Sequence, residues 1–163
     1  MFCIFAQRIE MSFIELNTTL DKASVERKVK DWERRIDSLY KEIGQWLNGT
    51  EYELRVSPNV KFELYEEPMD RFDLKPVKLD IGTIYRGKHF AGKIAPFGLW
   101  VIGANGALEL NTTIGSHKIV DRAQPFAKPI WRIVERNGFS GELKSFNKTA
   151  LLSILRAEDL KIR

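Results

Sequence analysis

The clearest periodicity in the chain lies between Asp21 and Gly49. Val25, Val29, Trp32, Ile36, Leu39, Ile43 and Trp46 recur at alternating steps of four and three residues, which puts them on one stripe of an α-helix. Tyr40 and Leu47 widen that stripe, while Lys28, Lys30, Glu33, Arg34, Arg35 and Asp37 take the outer positions. Asp21 carries the carboxylate of an N-cap, with Leu20 and Val25 at the two staple positions around it. Asn48-Gly49 supplies a stop, because glycine adopts the left-handed C′ conformation without a steric penalty. The spacing predicts a helix over 22–47. Its seam has two uses: packing on a sheet face, or pairing with a second copy as a homodimer. For the second use the partner-helix candidates are Val29, Trp32, Ile36, Leu39, Ile43 and Trp46. Two tryptophans in the seam suit a flat sheet better, and Gly44 weakens an isolated helix.

After the helix the period changes to two. Residues 52–56 and 60–64 alternate and read as strands joined by a turn at Ser57-Pro58-Asn59. Residues 66–70 read as a loop, 77–81 as a third strand extended by 83–86, and 87–98 as a loop. Asn105-Gly106 between apolar runs predicts a hairpin with a type I′ turn. That turn sets Ala104 against Ala107 and Leu99 against Thr112. Leu99, Val101, Leu108 and Leu110 then share a core face, with Trp100, Ile102, Glu109 and Asn111 on the other. A second turn at Gly115-Ser116 returns 118–121 beside 110–113.

Beyond this meander, Pro125 and Pro129 mark a connector. Residues 130–136, Asn137-Gly138 and 142–146 suggest another hairpin. Asn147 caps a helix over 148–155, followed by a frayed polar tail. Residues 13–16 read as a short strand. The fold expected is α+β: a long N-terminal amphipathic helix packed on a mostly antiparallel sheet or small open barrel, with a short C-terminal helix. One domain spans 1–163; Met11 offers a second start, so residues 1–12 read as a disordered or extraneous extension, with a short first strand in 1–10 as the competing reading.

Composition agrees with a globular protein, at 44% hydrophobic and 29% charged. The one cysteine, Cys3, excludes an internal disulfide, and with two histidines leaves no Cys/His zinc set. This usage suits a reducing cytoplasm. No apolar run approaches the roughly 18 residues of a membrane span, so no membrane partner is expected. The Asn-x-Thr triplets at Asn17, Asn48, Asn111 and Asn147 read as turn and cap chemistry.

Charge does change the picture. The net +4 divides into −3 over 51–80 (five basic, eight acidic) and +6 over 86–148 (ten basic, four acidic). Such asymmetry marks either an anionic partner for the second half or a match between two halves of one fold.

Catalytic motifs are absent: no phosphate loop, dinucleotide fingerprint, His-Glu-x-x-His or nucleophile elbow occurs. No cofactor and no metal are expected. His89 and His117, near Arg86, Lys88 and Lys118, are the weak candidates for a metal-independent ribonuclease. A nucleic-acid surface has more residues behind it: Arg86, Lys88, Lys93, Lys118, Arg122, Lys128 and Arg132 track phosphates, and Trp100 and Trp131 stack on bases. The leading expectation is a non-catalytic interaction module, of accessory, adaptor, antitoxin or immunity type, whose partner is another protein. Nucleic-acid binding through 85–146 is the alternative.

Overall fold

A computed structural model describes residues 20–134 and 142–161. Helix α1 (Lys22–Leu47) begins where the sequence places it. The Ser24 amide donates to Asp21 Oδ1 at 2.7 Å, and the Asp21 amide donates to Ser24 Oγ at 3.0 Å. Two of the amides that a helix start leaves unpaired are satisfied in this way. The helix stops at Leu47, and Gly49 sits at φ 77°, in the left-handed region.

Seven strands follow, each antiparallel to the next, in one open sheet with the order of the chain. They are β1 (Tyr52–Leu64), β2 (Val77–Arg86), β3 (His89–Gly98), β4 (Ala107–Thr112), β5 (Gly115–Asp121), β6 (Trp131–Val134) and β7 (Leu143–Ser145). A short helix α2 (Glu67–Arg71) links β1 to β2, and α3 (Lys148–Lys161) ends the described chain. The fold is α+β, with α1 and α3 on one face of the sheet. A Cβ on Gly82 would meet Tyr40 of α1, one on Gly92 would meet Leu155 of α3, and Ile84, the partner of Gly92, shares a face with Gly82. The other face carries rows such as Arg55, Thr83, Lys93, Asn111 and Ser116.

The seam of α1 is satisfied inside the chain. Val29, Trp32, Ile36, Leu39 and Ile43 are buried in the core, and Trp46 packs edge-on against Phe146 at 5.5 Å. Both named uses of the stripe draw on the same side chains, and the sheet occupies them.

Several local expectations are corrected. Residues 52–64 form one strand rather than a hairpin: a bulge between Val56 and Lys61 absorbs Ser57-Pro58-Asn59, and both halves pair with β2. The 66–70 loop contains α2, opened by Pro68 in its first turn. The 87–98 loop is β3, whose Pro96 stands beside a bulge, where its missing amide is tolerated. It is therefore 89–98, not 99–104, that pairs with β4, with Ile94 opposite Leu110 and Gly98 opposite Ala107. Asn105-Gly106 ends a wider loop instead of forming a two-residue turn.

The next turn falls at Thr113-Ile114, earlier than Gly115-Ser116, so Lys118 faces Glu109 and Val120 faces Ala107. Helix α3 runs past 155 to Lys161; just beyond, Arg156 is held to Glu51 by bonds of 3.1 and 3.3 Å. The strand at 13–16, the 1–12 extension, Cys3, Asn17 and the Asn137-Gly138 turn lie outside the described residues.

Candidate interaction surface

The most constrained part of the molecule is a charged centre that the helix pattern places at the surface. Arg35 flanks the apolar stripe, yet it is 1% exposed. Its Nε donates to Asp31 Oδ2, its Nη1 to Asp121 Oδ2 and its Nη2 to the Ala127 carbonyl, each at 2.5 Å. Asp121 is 0% exposed, and its Oδ1 accepts from the amides of Ala123 (3.0 Å) and Ile130 (2.9 Å). Burial raises the pKa of Asp31, but hydrogen bonds from Arg35 and Arg34 outweigh it and hold the carboxyl below its ordinary value.

This centre pins two loops at one end of the sheet. The Asn105 amide donates to the Asp121 carbonyl at 2.8 Å and its Nδ2 to the Ala123 carbonyl at 2.5 Å, tying loop 99–106 to loop 122–130. Glu66 holds the first loop from the far side, accepting from the Leu99 amide at 2.7 Å and the Trp100 amide at 3.3 Å. Gly106 lies flat on the Trp32 indole: an added Cβ would stand 2.6–2.8 Å from three ring carbons, at a φ of 137°.

The ordered loops present apolar side chains to solvent. Ile102 is fully exposed, Phe126 is 57% exposed and Ile130 is 48% exposed. Phe126 is held at φ 62°, a left-handed conformation that costs a bulky residue about 1–3 kcal/mol. Around them stand Arg122, Lys128 and Lys28, the last with its ammonium 5.5 Å from the centre of the Trp100 ring. Burial pushes the Lys28 pKa down, and Glu66 partly opposes that shift.

The nucleic-acid candidates do not gather into one face. Trp131 points inward, 6.0 Å from Trp32 and 9% exposed, and Trp100 is half-buried against the core. Neither ring offers an open stacking platform. Lys118 is paired with Glu109 and lies over Phe97, and Arg132 donates to Ser145. Arg86 and Lys88 flank the β2–β3 turn, whereas Arg122 and Lys128 sit beyond the opposite end of β3, a ten-residue strand spanning roughly 33 Å. Lys93 points to solvent between them.

The histidines are also apart. His89 pairs with Arg86 at the start of β3, while His117 faces Leu110, which faces Ile94. Five residues along a strand and two strands across put roughly 16 Å and roughly 10 Å between them, too far apart for a base and an acid that must each come within ~3 Å of the same phosphodiester. His117 instead lines a cavity of about 480 Å³ between the sheet and α3, with Lys144, Ser145 and Thr149. Among the described residues no cluster of His, Cys, Asp and Glu is arranged to hold a metal ion. Nor is any described helix long and apolar enough to cross a membrane.

Sequence reasoning missed the burial of Arg35 with Asp121 and the exposed Ile130. The i,i+4 pair Asp31–Arg35 was the one available signal, and such pairs usually mark a solvated helix face. Compared with known proteins, the chain matches no family model, no curated protein and no solved structure.

Proposed function

We propose that the chain is a non-catalytic binding module that docks another protein on the surface made by loops 99–106 and 122–130. The observation that carries this reading is the pairing of exposure with rigidity. Ile102, Phe126 and Ile130 stand in solvent on loops fastened from below by Arg35 and Asp121. Preordered loops bind without the entropy cost of fixing a mobile segment. Large apolar side chains rimmed by arginine and lysine match the composition of binding hot spots. The dispersal of the exposed cations and the inward turn of Trp131 favour a protein over a nucleic acid as partner.

Site-specific photo-crosslinking tests the reading in cells that naturally contain the protein. A benzophenone side chain placed at Ile102 or at Phe126 is expected to give the same protein adduct. The same group at Thr83, on the outer sheet face, gives none. Absence of an adduct from both loop positions, or an adduct destroyed by nuclease, overturns the proposal; the second result would install nucleic acid as the partner.

A further inference from the structure

The docking end of the molecule has an imbalance of charge that its residue count conceals. Every carboxylate there is engaged internally: Asp31 by Arg34 and Arg35, Asp121 by Arg35 and two amides, Glu66 by the Leu99 and Trp100 amides. The cations lack a direct carboxylate partner, although the Lys28 ammonium lies over the Trp100 ring and feels the Glu66 charge. Among the described residues, no carboxylate lies within ion-pairing distance of Lys28, Arg122 or Lys128.

Between α1 and loop 122–130 is a cavity of about 70 Å³ walled by Lys28, Asp31, Trp32, Leu99, Asn105, Pro125 and Phe126, in which the Asp31 carboxylate is already held by Arg34 and Arg35. That exceeds the ~10–15 Å³ that a single water needs on the same measure, enough for a small polar group such as a carboxylate. Lys28 and Trp32 are one helical turn apart and share the face of α1 that bounds the cavity. The Trp32 indole N–H is buried and has no acceptor, an arrangement native interiors seldom leave uncorrected.

We infer that this cavity receives a carboxylate from an acidic segment of the docked partner, with the Lys28 ammonium as its counter-ion and the Trp32 N–H as the spare donor. The inference rests on the docking reading above and specifies its chemistry. Burial makes Lys28 a reluctant cation, and an incoming carboxylate reverses that, since an ion pair with an opposite charge restores the protonated form. The apolar lip of Pro125 and Phe126 shields the pair from water, where it would otherwise be screened. An acidic partner segment with an apolar neighbour therefore fits both halves of the surface at once.

Titration with a bare carboxylate tests the cavity without any partner. Sodium acetate is added to the whole isotopically labelled chain, and the Trp32 indole N–H resonance is followed, with sodium chloride and neutral acetamide as controls. A saturable shift with acetate alone is expected, and Lys28→Met should abolish it while the rest of the spectrum stays dispersed. A response equal to that of chloride or acetamide, or one that survives in Lys28→Met, overturns the inference. Lys28→Arg, which keeps the charge, should retain the response if Lys28→Met proves poorly folded. A silent acetate titration alongside intact crosslinking at Ile102 and Phe126 removes the carboxylate and keeps the docking surface. Loss of crosslinking with a positive titration does the reverse.

Discussion

Replacing Arg35 by methionine should be among the most damaging single changes in the chain, and the structure sets its size. The substitution keeps most of the side chain's apolar stem but removes three bonds of 2.5 Å. Asp121 then remains fully buried with its two amide donors and no cation. Removing one partner of a buried pair costs about 3–5 kcal/mol, because the other charge stays desolvated. Asp31 adds less, since its side chain is 13% exposed and keeps Arg34. Ala127 is exposed, so water can replace the lost donor at its carbonyl. The expected loss is thus about 3–5 kcal/mol, a large part of the ~5–15 kcal/mol typical of folded proteins.

Urea unfolding of wild type, Arg35→Met, Asp121→Asn and the double variant measures it. The double variant should lose less than the two single losses added, with a coupling on the order of 2 kcal/mol. A loss below about 1 kcal/mol for Arg35→Met, within the range of a solvated surface pair, would refute the reasoning. Strict additivity in the cycle would do the same.

Other perturbations read different parts of the account. Gly106→Ala drives a Cβ into the Trp32 ring at a φ that L-residues rarely adopt, and should lower stability by about 2 kcal/mol or more, seen as a reduced urea midpoint. Asp21→Ala removes the α1 cap and should lower the urea midpoint in the same assay. The Glu109 carboxyl is held below its ordinary pKa by hydrogen bonds from Lys118 and then Ser116. Its contribution is therefore present at neutral pH and lost as pH falls through the acid range, so Glu109→Gln should flatten part of the acid limb of a stability–pH curve. The Tyr40 hydroxyl is pushed far up by burial while it donates to the Asp80 and Ile94 carbonyls at 2.8 and 3.1 Å. Stability should accordingly fall as pH rises above the ordinary tyrosine range, less steeply in Tyr40→Phe; an unchanged alkaline limb would contradict this.

The parts legible in the sequence were those fixed by local rules. Asp21, the apolar stripe and Gly49 set α1 because capping and periodicity act within a few residues. The alternation of β1 and β2 was equally plain, and so was the cap at Asn147. Errors came where a residue usually read as a breaker is accommodated by its neighbours. Pro96 and Gly98 conceal β3 because a bulge accepts them, and that hid strand then displaced the assigned hairpin to the wrong side of Asn105-Gly106. The docking end was least legible. Arg35 and Asp121 are separated by 86 positions, and no period or local motif announces that an outer-position arginine turns inward.

The most direct test of the docking surface uses the protein captured at Ile102 and Phe126, titrated calorimetrically against wild type and Ile102→Asp/Phe126→Asp. Both side chains are exposed, so the fold should be retained. If they are hot spots of at least about 2 kcal/mol each, the double variant should bind on the order of 1,000-fold more weakly. Equal affinity for the two proteins would contradict the account.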